Sequence, residues 1–322
     1  SGDLPAGSNI AVLFVLIIVV LFTVGRSASM KDETWQLTSK VRAARVELTK
    51  HPLYRVMTFT GFGLIAALAL ALPSQVDKAS DMLKFSSIPV YLIIALSVTV
   101  VTGWGGQLSL GQGALMAVGG YCMALLMINQ GYSLWVAIPL AIVGSALAGL
   151  LLGISAARLS GPYLAGTTLV IALAIPTLAN RFMSVLKGDE GLPVDVGYPP
   201  VWFTNLFGEP SYEQWQLYVA LPFAAVALFF ASNILLSRTG RMWRAIRDNE
   251  TAASLNGVNF SRQKIFVFVV SATFAGLSGA LYGLRGLVVP SVYPVSLSLT
   301  LLTAAVLGGI RSIFGAFIGT VI

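Results

Sequence analysis

The sequence predicts an all-α, polytopic bundle of about eight to ten membrane-crossing helices, with a discontinuous or re-entrant element near residues 103–113. Three observations carry that prediction. Charged residues make up 10% and hydrophobic residues 56% of the 322-residue chain, whereas charged residues are about 25% of an ordinary soluble domain. Apolar runs of about 20 residues, long enough for a hydrocarbon core of about 30 Å, recur along the sequence. The connections between them sort into basic and acidic sets, the asymmetry by which helices are oriented in a bilayer.

In chain order the spans fall at about 9–25, 54–73, 86–102, 110–128, 134–156, 163–185, 216–236, 264–286 and 297–322. The first (NIAVLFVLIIVVLFTVG) lacks the basic start of a signal peptide. Met30 is a second possible start, and residues 1–29 then read either as the tail of an upstream membrane unit or as a first helix. The chain divides into 1–53, a membrane helix with a basic cytoplasmic segment, and 54–322, a transmembrane domain.

Charge tests the connections. Residues 26–55 carry seven Lys/Arg against three acids, and 238–264 carry six against two. Residues 187–213 carry one lysine against five acids. With basic loops inside, the nine-span path places 26–55, Arg158 and 238–264 in the cytoplasm and the long 187–215 loop outside. The 103–109 stretch falls inside or in the inner membrane half. The path was free to fail this test, and it passes.

Several functions lack material. Cys122 is the one cysteine, so no internal disulfide or thiolate cluster is possible, and with His51 the one histidine a zinc site or a histidine-based triad has almost no material. The net charge of +7 fits cytoplasmic loops better than nucleic acid, because no separate basic domain exists. No span carries an acidic residue in its middle, where ion-coupled carriers keep buried carboxylates. That favours a pathway driven from outside the membrane.

The loop 238–264 reads RTGRMWRAIRDNETAASLNGVNFSRQK. Arg241, Arg244 and Arg247 recur at helical spacing, with Met242, Trp243 and Ile246 as an apolar side. Small residues then lead to Gly257, which describes a short helix with a compact face and a glycine stop. Two readings stand. A docking helix is approached closely by another protein, with arginines at its rim; an amphipathic helix lies on lipid headgroups.

This loop resembles the EAA loop of ABC-importer permeases, with Glu250, Ala252, Ala253 and Gly257 at the matching positions. The wider segment 240–283 is similar to the branched-chain amino-acid permease family of LivM type. So are GWGGQLSLGQGALMAVGGYC (103–122), RLSGPYLAGTTL (158–169) and VLGGIRSIFGAFIG (306–319). The resemblance runs colinearly over about 85–322. It implies a permease subunit that pairs with a second permease subunit among membrane lipid. Two cytoplasmic ATP-binding subunits would engage the EAA loops, and an extracytoplasmic solute-binding protein would deliver the solute. ATP and magnesium would reside on those partners, since no G-x-x-x-x-G-K-[ST] loop is present; no cofactor and no catalysis are expected of this chain. Arg241, Arg244 and Arg247 would surround the coupling helix and Glu250 would lie near its centre. The solute would be a branched-chain amino acid or a related small polar molecule. The contrasting readings are an ATP-independent carrier or channel, and a membrane scaffold. Departures from the family pattern are Gln112, where histidine is frequent, Lys187–Leu192 in place of GGPNGL, and Arg311 in place of glycine.

The stretch GWGGQLSLGQG (103–113) has neither the lysine nor the spacing of a phosphate loop. It reads either as a tight helix connection of closely packing small residues or as non-helical backbone at membrane depth, which persists only where protein buries it or a cavity runs beside it. In the second reading Gln107, Ser109, Gly111 and Gln112 satisfy freed backbone groups or touch a passing solute, and a helix starting near Ser109 would suit a carboxylate. Gly119, Gly120, Gly276, Gly279 and Gly283 read as packing contacts. Residues 290–296 read as an outer turn, and Tyr198, Trp202 and Trp215 as interfacial anchors. Arg181 reads as an arginine reaching the outer interface. A break in the last span would place Arg311 near a loop.

Overall fold

The computed structural model describes residues 79–321, apart from 160, 196, 198, 202 and 205–210. The predicted spans 9–25 and 54–73, the basic loop 26–55, Met30, Tyr198 and Trp202 lie outside the described residues. The seven other predicted spans are all present, as seven helices long and apolar enough to cross a membrane.

The chain opens with α1 (Ala79–Val98), which widens into a π-helical turn over Thr99–Trp104. After an irregular stretch come α2 (Gln112–Gln130), α3 (Leu134–Ala156) and α4 (Gly161–Arg181). A short α5 (Met183–Leu186) follows, and exposed Arg181 closes α4. α6 (Tyr212–Leu236) leads into the non-spanning helices α7 (Arg238–Asp248) and α8 (Glu250–Leu255), and α9 (Phe260–Gly283) re-enters the bundle. The last predicted span is broken into α10 (Val295–Gly308) and α11 (Ile313–Val321), and Arg311 sits in the break.

Local sequence sets these boundaries. Ser211 and Gln214 form a reciprocal capping box at the start of α6. Ser237, Asn249 and Asn259 then accept, in turn, from the backbone N–H of Gly240, Ala252 and Arg262. Three successive caps therefore cut the 238–264 segment into α7, α8 and the start of α9. At the far end of α2, Gly131 (φ +64°) takes the left-handed conformation that closes a helix.

The core is built on α9, which packs along α1, α2 and α3, while α6 leans on α1 and α11 on α10 and α1. α2 and α9 touch backbone to backbone. A Cβ on Gly119 would overlap the Gly276 backbone, and one on Gly276 would overlap the Ser145 side chain. Small residues are what allow that approach between helices without a hydrophobic driving force. The glycines read as packing contacts are packing contacts.

At the end of the bundle opposite α7 and α8, a two-stranded antiparallel ladder pairs β1 (Leu192–Pro193) with β2 (Leu287–Val288). It ties the acidic loop to the α9–α10 connection, and Val194 N–H adds a bond to Gly286 O at 2.9 Å. The carbonyl of Leu284, freed at the end of α9, accepts from Gln216 Nε2 at 2.7 Å and from the Tyr212 hydroxyl at 3.0 Å. Trp215 departs from its predicted role as an anchor. It is buried, with its ring edge-on to Phe203 at 5.1 Å, because the first turn of α6 turns inward.

Candidate functional site

Two irregular stretches meet at the α7 end of the bundle. The first follows α1. Its π-helical turn has Gly105 N–H bonded to Val100 O (2.9 Å) and Gln107 N–H to Val101 O (3.0 Å), and the backbone then runs non-helically to α2. Its depth follows from its partners. The Ser97 hydroxyl donates to Gln112 Oε1, and the Ser271 hydroxyl approaches the same oxygen at 3.2 Å and Ser97 Oγ at 3.0 Å. Ser271 lies eleven residues into α9, about 16 Å along its axis. The non-helical residues 107–111 link Gly106 back to the level of that cluster, where Gln112 opens α2. The backbone therefore descends to Gly106 and climbs back to mid-depth, where α2 begins. That is the discontinuous element of the second reading, not a tight connection, and α2 starts three residues later than Ser109.

Other helices satisfy the freed amides. Leu110 N–H donates to Thr168 Oγ1 of α4 (2.9 Å), and Gly113 N–H to Ser298 Oγ of α10 (3.0 Å). Gly111 N–H and Gln112 Nε2 both reach Ser109 Oγ at 3.4 Å. Ser109 and Gln112 are buried at 2% and 1% exposure. A solute carboxylate arriving at this helix start would have to displace hydroxyls already in place. Gln107 differs. It is buried, yet neither amide atom has a partner among the described residues, and it lines a crevice with Trp243, Gln263 and Lys264. The sequence thus brings Ser109, Gly111 and Gln112 together and sets Gln107 apart, against α7 and α9.

The second stretch is α7–α8. Gly240, Trp243 and Ile246 form the inward face of α7. Trp243 donates to Gln263 Oε1 at 3.1 Å and packs on the Phe266 ring at 5.8 Å. Its apolar side is therefore spent on protein, which disfavours a helix lying on headgroups. The arginines bond to backbone carbonyls. Arg241, itself exposed, donates from Nη1 to Leu236 O (3.0 Å) and Arg244 from Nη2 to Leu235 O (3.2 Å), carbonyls that α6 leaves open at its C-terminus, while Arg244 Nε donates to Gly240 O of its own helix (3.2 Å). Arg247 Nη1 reaches Gly103 O at 2.7 Å.

α8 shows the opposite character. Ala253 faces inward, while Thr251, Ala252, Ser254 and Asn256 are exposed and Leu255 is 83% exposed. Glu250 opens the helix rather than sitting at its centre, and pairs with the buried Lys264 of α9 at 2.7 Å. Gly257 (φ +81°) ends the segment. Sequence reasoning passed over Leu255, Lys264, Thr168, Ser298, Ser97 and Ser271. Hydroxyls within apolar spans were the available signal for the last four, because a buried hydroxyl needs a partner.

Among the described residues no group of three or more His, Cys, Asp or Glu could hold a metal ion. The family described as "Branched-chain amino acid transport system / permease component" matches residues 84–322. The high-affinity branched-chain amino acid transport system permease protein LivM of Salmonella typhimurium is 33% identical over 278 residues, covering 80% of this chain and 65% of its own length. LivM of Escherichia coli K12 is 32% identical over 279 residues, with the same coverage of each chain. The permease protein LivH of Escherichia coli K12 is 27% identical over 245 residues, 72% of this chain and 79% of its own. The chain spans about two thirds of the length of the LivM relatives.

Proposed function

Because this chain belongs to the branched-chain amino acid transport permease family, we propose that it is a permease subunit of an ATP-driven importer in the bacterial inner membrane. Its bundle provides half of the path for a branched-chain amino acid or a related small polar solute. A second permease subunit supplies the other half, and an extracytoplasmic solute-binding protein delivers the solute to the 187–215 side. Two cytoplasmic ATP-binding subunits hydrolyse ATP with magnesium, so this chain carries no catalytic group. The re-entrant segment with Gln107, Ser109, Gly111 and Gln112 forms part of the wall of the path.

The observation that carries the reading is α8. It is short, capped by Asn249, stopped at Gly257, and presents Leu255 and Ala252 outward while Glu250 and Ala253 anchor it to the bundle. A compact rim around one exposed apolar side chain is a knob suited to a groove on a protein partner. Arg241, Arg244 and Arg247 hold this unit to the bundle from behind.

The test is retention of the ATP-binding subunits on the affinity-tagged chain purified from membranes. Leu255→Asp, Glu250→Lys and Gly257→Trp are expected to lose them by tenfold or more, with the amount of chain in the membrane unchanged. Full retention in all three variants, or solute uptake into vesicles that proceeds without ATP, would sink the reading.

A further inference from the structure

Three contacts converge at the α7 end. The turn that ends α1 leaves Gly103 O without an intrahelical donor, and the donor it finds is Arg247, 144 residues later on α7. The other side of that guanidinium is fixed by Asp248, whose Oδ1 accepts from Nε at 3.0 Å and from Nη2 at 2.9 Å. The arginine stem lies flat on Gly106 (φ +66°), where a Cβ would fall onto Arg247 Cγ. On the opposite side of the same turn, a Cβ on Gly103 would fall onto Ile310 O, and Trp104 Nε1 donates to Arg311 O at 3.3 Å.

We infer that Arg247 is a positioning residue that fastens the α7–α8 unit to the start of the re-entrant segment, so that a displacement of α8 is carried to residues 103–112. The inference rests on the transport reading above and deepens it. It assigns Arg247 to the inner side of the coupling unit, whereas the docking reading of the sequence puts the arginines at the partner-facing rim.

The physical argument is one of geometry. A planar guanidinium gripped on one edge by Asp248 has its remaining nitrogen aimed in a fixed direction. Its acceptor is a backbone carbonyl, so any shift of α7 pulls on the main chain rather than on a mobile side chain. Gly106 provides no side chain that could hold the arginine away, and its positive φ turns the chain upward toward Ser109 and Gln112. Gly103 and Trp104 brace the same turn against the break between α10 and α11. One hydrogen bond therefore joins the cytoplasmic helices to a junction from which both membrane breaks depart.

The experiment uses the whole transporter, with its ATP-binding subunits and binding protein, reconstituted in vesicles. Solute uptake and ATP hydrolysis are measured on the same preparation, together with the amount of ATP-binding subunit retained. For Arg247→Ala the expected result is full retention and continued hydrolysis, with uptake per ATP lowered about tenfold. Arg247→Lys, which can still donate to Gly103 O, recovers part of the ratio. Gly106→Ala, which pushes the arginine stem off its seat, lowers the ratio similarly, and adding it to Arg247→Ala lowers it no further. An Arg247→Ala chain that accumulates poorly shifts the decision to Arg247→Lys and Gly106→Ala, which leave the fork or the charge in place. Loss of ATP-binding subunits from Arg247→Ala would make the residue a partner contact and overturn the inference. An unchanged ratio of uptake to hydrolysis would overturn it as well. The wild-type control separates this from the transport reading: absence of ATP-binding subunits from the wild-type preparation refutes that reading, whereas effects confined to the variants bear on Arg247.

Discussion

Residues 103–111 and 249–257 lie at the same end of the bundle, are similar in length, and both interrupt helical structure, yet they distribute polarity in opposite ways. The first encloses amides and hydroxyls at depth. Ser109 and Gln112 are fully buried, Gln112 is joined to Ser97 and Ser271 as well as to Ser109, and Thr168 and Ser298 reach in from two further helices. The second faces outward and exposes an apolar residue, Leu255, among small and polar neighbours. Buried backbone without a regular partner must be satisfied by the rest of the protein, so the first stretch is bound to its bundle at many points. An exposed leucine on a short helix is bound by little within the chain. One interruption is closed by its own fold, and the other leaves an apolar side chain open to its surroundings.

The largest effect is expected from breaking the closed stretch. Gly103→Val puts a branched side chain where a Cβ already overlaps the Ile310 carbonyl, which is backbone and cannot rotate away. Displacing it moves the α10–α11 break, at a cost of about 3 kcal/mol or more. The expected outcome is little chain in the membrane and a clearly lower aggregation temperature in detergent. Accumulation and melting like the wild type would show that the two breaks do not lock together.

A smaller effect is expected from Gln112→Leu. It removes the oxygen that accepts from Ser97 and lies near Ser271, and the amide that reaches Ser109. The serines retain each other at 3.0 Å and Ser271 retains the Ser97 carbonyl at 3.0 Å. The loss should thus be held to about 1–2 kcal/mol, read as a lower unfolding midpoint in detergent. Gln112→His, which keeps both a donor and an acceptor, should recover most of it. Equal losses in the two variants would mean that shape, not hydrogen bonding, governs the site.

The contrast between the two stretches also marks what the sequence could convey. Apolar length alone located the seven described spans, and charge separated the 187–215 and 238–264 loops, which lie at opposite ends of the bundle, because both are properties of single segments. The concentration of glycine and glutamine in 103–113 announced an interruption for the same reason. The partners were illegible. Leu110 meets Thr168, and Gly113 meets Ser298, across 58 and 185 residues, and no local pattern encodes which hydroxyl reaches which amide. The arginines of α7 were visible as charges at helical spacing, but their acceptors are the carbonyls of Leu235, Leu236, Gly240 and Gly103. Every residue has a carbonyl, so nothing in the sequence distinguishes those four. The β1–β2 ladder involves two residues on each side, too few to show an alternating pattern.

The smallest effect is the sharpest test of the open stretch. Leu255→Ser shortens an apolar side chain that is 83% exposed on a helix of six residues. Removing an already hydrated side chain returns little area to water, and serine at the last turn of a short helix costs a few tenths of a kcal/mol in propensity. The isolated chain should therefore keep its stability within about 0.5 kcal/mol, and its unfolding temperature in detergent should coincide with that of the wild type. Glu250 and Lys264 continue to hold the helix in place, so its caps and its position are preserved. A drop as large as that expected of Gln112→Leu would show that Leu255 is packed within the chain itself. α8 would then be a second closed interruption, and the difference in polarity between the two stretches would no longer separate a structural break from a surface awaiting a partner.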